Sequence, residues 1–114
     1  MANRPLHVFN NTIIDAESMG ASITSDSQNL DTVSGFAFHA VITGSSSPVG
    51  TLTLEGSNSD IASEYTPFKT FTVNSSSDTF LVNYDNPHFR FLRSVYTRTS
   101  GSGTLTATIN GKIR

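Results

Sequence analysis

Hydrophobic and polar residues alternate along much of this chain, and the alternation is cleanest near its end. Leu105, Ala107 and Ile109 fall on one side of an extended backbone, and Thr104, Thr106 and Thr108 on the other. Just upstream, residues 89–98 are rich in aromatic and β-branched side chains, which suit a pleated, half-buried surface. Ser100-Gly101-Ser102-Gly103 lies between these runs and supplies residues that tolerate positive φ. The pattern predicts a strand, a tight turn and a strand over residues 89–109. A lone hairpin is not stable in water, so the rest of the chain must cover its apolar face.

The remaining pattern supplies the cover. Residues 6–14 read as a first strand, with Leu6, Val8 and Ile13 or Ile14 as apolar positions and a bulge at Asn10-Asn11. A turn over 15–20, a short strand over 21–24 and a loop over 25–29 follow. In residues 33–43, Phe36, Phe38, Ala40 and Ile42 share one face, while Ala37, His39, Val41 and Thr43 share the other. Both faces are fairly apolar, as in a central strand or one partly covered by a neighbour. Residues 44–48 read as a loop, and residues 51–55 as a strand with Leu52 and Leu54 inward. A polar loop over 56–63 leads to a strand over 65–73, where Pro67 marks a beginning or an edge. After a turn over 74–78, Phe80, Val82 and Tyr84 form one face of a short strand, and 85–87 is a turn. The expected core is Phe36, Phe38, Leu52, Leu54, Phe71, Val82, Phe91, Leu105 and Ile109.

About seven or eight short strands at intervals of roughly 8–12 residues predict an all-β fold, an antiparallel β-sandwich of jelly-roll type. A small barrel is the alternative. At 114 residues the chain forms a single domain over residues 6–114, preceded by a polar N-terminal arm over residues 1–5.

Composition narrows the function classes. Charged residues make up only 14% of the chain, and Ser and Thr supply most of the polar surface. A net charge of −2 gives no bulk attraction for nucleic acid. The absence of cysteine excludes disulfides and thiolate metal sites. No apolar run approaches membrane-spanning length, so no membrane partner is expected. Met1-Ala2-Asn3-Arg4-Pro5 leads into no signal-peptide core, so synthesis and folding in the cytoplasm are expected. A small domain of this kind often draws stability from oligomerisation.

Candidate chemistry is sparse. The carboxylates lie mostly at turns, where Asp caps its own backbone. Asp26 with Asp31, and Asp60 with Glu64, lack the regular oxygen spacing of a calcium loop. His7, His39 and His88 are scattered, and His39 reads as a half-buried, hydrogen-bonded side chain. No serine sits in a nucleophile elbow. No catalytic residue, cofactor site or metal site is therefore expected. Arg93, between Leu92 and Val95, is expected to pair with an acid such as Glu55 within the framework. Arg4, Arg90, Arg98, Lys112 and Arg114 remain as cations for meeting a partner, and Tyr65, Tyr84 and Tyr96 as aromatics for stacking on sugars.

Several segments carry a resemblance. Val33-Ser34-Gly35-Phe36-Ala37-Phe38-His39-Ala40 is followed by Gly50-Thr51-Leu52-Thr53-Leu54-Glu55-Gly56-Ser57, then by Arg93-Ser94-Val95-Tyr96-Thr97 and Ser100-Gly101-Ser102-Gly103-Thr104-Leu105. Over roughly residues 33–110 this resembles small β-sandwich structural proteins of tailed bacteriophages, and it is similar to galactose-binding-like jelly rolls. The phage resemblance implies a virion structural protein: a capsid decoration or cement protein on the head surface. It implies the major capsid protein as partner, a trimer as the homo-oligomer, and host cytoplasm as the place of synthesis. A carbohydrate-binding or receptor-binding module of a virion appendage is the alternative, as is a neck or tail component.

Overall fold

A computed structural model describes residues 6–74 and 78–113. Its strands are β1 (Leu6–Ser18), β2 (Ile23–Thr24), β3 (Gln28–Asn29), β4 (Gly35–Ser57), β5 (Thr66–Val73), β6 (Asp78–Asp85) and β7 (Phe91–Ile113). One 3-10 turn, Ala62–Glu64, precedes β5. All pairings are antiparallel.

Two long strands organise the molecule. β4 and β7 each run for 23 residues and pair with one another from Gly35↔Lys112 to Ser57↔Phe91. Both bend midway, where the register shifts around Ser46↔Ser102 and Val49↔Ser100. The bend sends each strand from one layer into the other. One layer holds β1, residues 104–113, residues 35–43 and β6 in that order. The second holds β2 and β3, residues 91–98, residues 50–57 and β5. Counting the halves of β4 and β7 separately, and β2 with β3 as one, reproduces the strand order of a jelly roll. The all-β antiparallel sandwich expected from the sequence is thus the observed architecture.

The predicted hairpin is corrected. Residues 89–98 and 104–109 do not pair with each other; they are the two halves of β7, and both pair with β4. Ser100-Gly101-Ser102-Gly103 is a corner in a continuous strand, and residues 44–48 form the matching corner of β4 rather than a loop. Gly101 (φ 72°) and Ser47 (φ 43°) take left-handed conformations opposite one another. A Cβ on Gly101 would collide with the carbonyl oxygens of Ser46 and Ser47. A Cβ on Gly44 would lie 2.6 Å from the Cα of Gly103, so the two strands touch backbone to backbone at the bend.

The core fills the space between the layers. Phe36, Phe38, Ala40 and Ile42 are buried from β4's first half, and Leu52 and Leu54 from its second. Leu92 and Tyr96 from β7's first half and Leu105, Ala107 and Ile109 from its second complete the strand contribution. Ile13, Ile14, Met19, Ile23, Leu30 and Val73 close the sides. The period-two pattern thus predicted the inward faces of β4, β6 and the end of β7. Phe71 and Val82 are half-buried and pack on this core. Phe91 is a correction: the neighbouring Leu92 points inward, which puts Phe91 on the outer, half-exposed face. Its ring lies under the Arg90 guanidinium at 5.2 Å instead.

Other local expectations are also revised. β1 continues through Ser18 where a turn over 15–20 was expected; Ala16 (φ 48°) sits in a register shift between Ile14 and Glu17. The bulges in β1 lie there, between His7 and Phe9, and between Thr12 and Ile14, while Asn10 and Asn11 pair regularly with Asn110 and Ile109. The segment expected as a loop over 25–29 contributes β3. His39 is exposed on the outer face of β4, not half-buried.

Candidate functional site

Among the described residues, the cations predicted to meet a partner are not gathered into one patch. Arg4 and Arg114 lie outside the described residues. Arg90 precedes β7 at the end of the sandwich formed by residues 30–34, 58–65 and 86–90. There its guanidinium grips Asp31, with Nε 3.2 Å from each carboxylate oxygen and Nη2 2.9 Å from Oδ2. This donor fork holds the Asp31 carboxyl below its ordinary pKa. Arg98 is at the opposite end, beside the β7 corner, where its Nε donates to the Gly101 carbonyl at 2.9 Å. Lys112 is on the outer face of the first layer.

A connected polar arrangement lies where β7 meets the loop before β5. Arg93 stands directly opposite Glu55 in the β4–β7 register and donates from Nε to Oε1 at 2.7 Å. Sequence reasoning anticipated this pair. The same guanidinium lies 4.2 Å from the Tyr65 ring centroid, and its Nη2 donates to the Ala62 carbonyl at 3.3 Å. Tyr65 donates from its hydroxyl to Asp60 Oδ1 at 2.7 Å, and Ser27 donates to Asp60 Oδ2 at 3.1 Å. Burial first, and the hydrogen bond to Asp60 second, push the Tyr65 phenol up to about 12. Ser25, Asp26, Ser27, Asp60, Ala62, Tyr65 and Arg93 line an open cleft of about 280 Å³. Both oxygens of Asp60 are engaged within the chain, as are one face and two N–H donors of the Arg93 guanidinium. The cleft therefore works as a brace, fastening the loop over 58–65 and the segment around Ser27 to the second layer.

The carboxylates considered as calcium ligands separate in space. Asp26 lines this cleft, whereas Asp31 is held by Arg90, so the two do not converge. Glu64 accepts from Ser59 Oγ at 2.9 Å, not alongside Asp60. Among the described residues, no group of three or more His, Asp or Glu side chains is placed to hold a metal ion. Tyr84 and Tyr96 are spent on packing: Tyr84 stacks on Phe36 at 5.3 Å, and Tyr96 is fully buried with its hydroxyl donating to the Val49 carbonyl at 3.2 Å. Burial raises the pKa of both phenols.

A second surface was not legible in the sequence. Ala37, Leu81, Asn83, Asp85, Asn110 and Lys112, with Gly35, border a shallow depression of about 510 Å³ on the outer face of the first layer. Leu81 is 63% exposed there. The only sequence signal for it was parity: Leu81 sits between the inward Phe80 and Val82.

No family model matches the sequence, and no curated protein matches it. Solved structures do match in three dimensions. The SPBc2 prophage-derived protein YomS is similar at a TM-score of 0.63 and 11% identity, with 97% of this chain and 98% of that chain covered. A subunit of the disulfide-linked pili that form Bacillus endospore appendages is similar at a TM-score of 0.51 and 11% identity, covering 98% and 93% of the two chains. VP2 of infectious bursal disease virus is similar at a TM-score of 0.51 and 16% identity; 98% of this chain matches 34% of that one. At these identities the likeness is one of fold.

Proposed function

We propose that this protein is a structural component of a tailed-phage virion, a decoration or cement protein on the head surface that stabilises contacts between capsomers by binding the major capsid protein. The observation that carries the reading is the end-to-end match to the prophage-derived YomS, in which 97% and 98% of the two chains superpose at a TM-score of 0.63. The likeness to the viral protein VP2 supports it. So does the use of the chain's own polar groups: Arg90 pairs with Asp31, Arg93 with Glu55, and Asp60 accepts from Tyr65 and Ser27, so these groups stiffen the domain. A non-enzymatic role follows from the reading, as does location on the capsid surface after synthesis in the host cytoplasm.

The test is to mix purified protein with undecorated particles and count bound copies per particle. Saturable binding at hundreds of copies is expected. Binding of a few or a dozen copies would assign the protein to the neck or tail instead, and absence of binding to any capsid would end the cement reading.

A further inference from the structure

A sandwich presents the edges of its layers to solvent, and a bare edge is a template for another strand. Three of the four edges here are guarded. β1 slips register at three places along its pairing with β7. β5 carries Pro67 and Lys69 and a register shift opposite Leu54 and Glu55. β2 and β3 are two residues long each. β6 has none of these devices. It pairs with β4 in unbroken register from Asp78↔Ile42 to Asp85↔Gly35, and its sequence contains neither Pro nor Lys. Among the described residues, no strand pairs with its other side.

The flank around β6 also exposes large apolar side chains. Leu81, at the middle of the strand, is 63% exposed. Phe68 of β5 is 39% exposed. Ring contacts bridge β5 to β6 here, Phe71 to Phe80 at 4.8 Å and Phe68 to Tyr84 at 5.4 Å.

We propose that β6 is the contact between two copies of this chain, paired antiparallel about a two-fold axis at Leu81. The strand suits pairing with itself. Residues opposed in an antiparallel pair project to the same face. Asp78 lies on the inward face of β6 and Asp85 on the outward face, so self-pairing never sets Asp78 against the Asp85 of its mate. With the axis at Leu81, Leu81 meets its own counterpart. Thr79 then faces Asn83, Phe80 faces Val82, and Asp78 faces Tyr84, with no like charges opposed. The first layer continues from one copy into the next, and the half-buried rings of the flank are covered. A two-fold edge contact makes a dimer, in place of the trimer implied by the phage resemblance.

The chain has no cysteine, which makes cross-linking unambiguous. Opposed Cα atoms in an antiparallel pair are about 4.5–5.5 Å apart, within disulfide range. Purified Leu81→Cys is expected to form a disulfide-linked dimer on mild oxidation, while Thr12→Cys on the β1 edge stays uncross-linked. By light scattering, the unaltered protein is expected to show the mass of two chains. Leu81→Lys, which sets like charges against each other at the axis, should weaken the dimer at least tenfold with an unchanged far-UV spectrum. A monomeric mass at every concentration, or a three-chain mass that Leu81→Lys leaves intact, would overturn the proposal. Equal cross-linking of Leu81→Cys and Thr12→Cys would do the same. No capsid enters these measurements, so their failure leaves the virion reading standing.

Discussion

Glu55 and Arg93 face each other across the β4–β7 pair, Oε1 to Nε at 2.7 Å, with only 16% and 18% of their side chains exposed. The pair joins the two strands that organise the fold, and Arg93 carries the contact onward to Tyr65 and the Ala62 carbonyl. Arg93→Ala would strand a largely covered carboxylate, so a loss of about 2–3 kcal/mol is expected in urea unfolding. Replacing both residues, as in Arg93→Met with Glu55→Leu, should recover most of that loss, because neither charge is then left without its partner. If the double variant were as unstable as Arg93→Ala, the contact would not be the cause.

The corner makes a sharper demand on one glycine. Gly101 combines a φ of 72° with a backbone approach that leaves no room for a Cβ beside Ser47. Gly101→Ala should therefore cost about 2–3 kcal/mol, more than an ordinary surface change. A melting temperature within a degree of the unaltered protein would contradict the continuous bent strand.

Ser94 offers the opposite sign. It is fully buried opposite Leu54, and its hydroxyl has no hydrogen-bond partner among the described residues. Its backbone N–H is satisfied by Ser25 Oγ at 2.8 Å, so the main chain does not depend on the side chain. Ser94→Ala is expected to stabilise the fold by about 1 kcal/mol. Thermal unfolding of the variant checks this, and a destabilisation would mean the hydroxyl has found a partner such as bound water.

Alkaline pH probes the brace around Tyr65. Its pKa is raised to about 12, so the folded state keeps this proton after the unfolded chain, titrating near 10, has lost it. The stabilisation is complete below pH 10 and is lost as pH rises towards 12. Tyr65→Phe should flatten this part of the stability profile relative to the unaltered protein. Tyr84 and Tyr96 also titrate late and remain in both proteins, so the difference isolates Tyr65. Identical profiles would remove the proton-linked role.

The proposed binding to a capsid can be tested at the arm over residues 1–5. Its polar residues are Asn3 and Arg4. An extended arm can lay backbone hydrogen bonds along a neighbouring subunit, and repetition over a symmetric lattice multiplies weak contacts. Deleting residues 1–5 should leave the far-UV spectrum unchanged and reduce the copies bound to undecorated particles. Full occupancy at unchanged affinity would exclude the arm as an anchor.

What the sequence determined by itself was local. Side-chain direction in a strand depends only on parity, so Phe36, Phe38, Ala40 and Ile42, Leu52 and Leu54, and Leu105, Ala107 and Ile109 could be assigned inward without knowing their partners. The Glu55–Arg93 pair was also within reach, because a cation inside an apolar strand needs an acid nearby. Partner choice was decided only in three dimensions. A glycine-rich interruption between two strands fits a hairpin turn and a corner equally well. Ser100-Gly101-Ser102-Gly103 became a corner because β4 bends at the same level, through Gly44 and Ser47, and keeps both halves of β7 as its neighbour. The same long-range pairing turned Phe91 outward, brought Asp31 to Arg90 across 59 positions of sequence, and left β6 at a bare edge with Leu81 in solvent. Neighbours in a sheet are set by the path of the whole backbone, which local alternation does not encode.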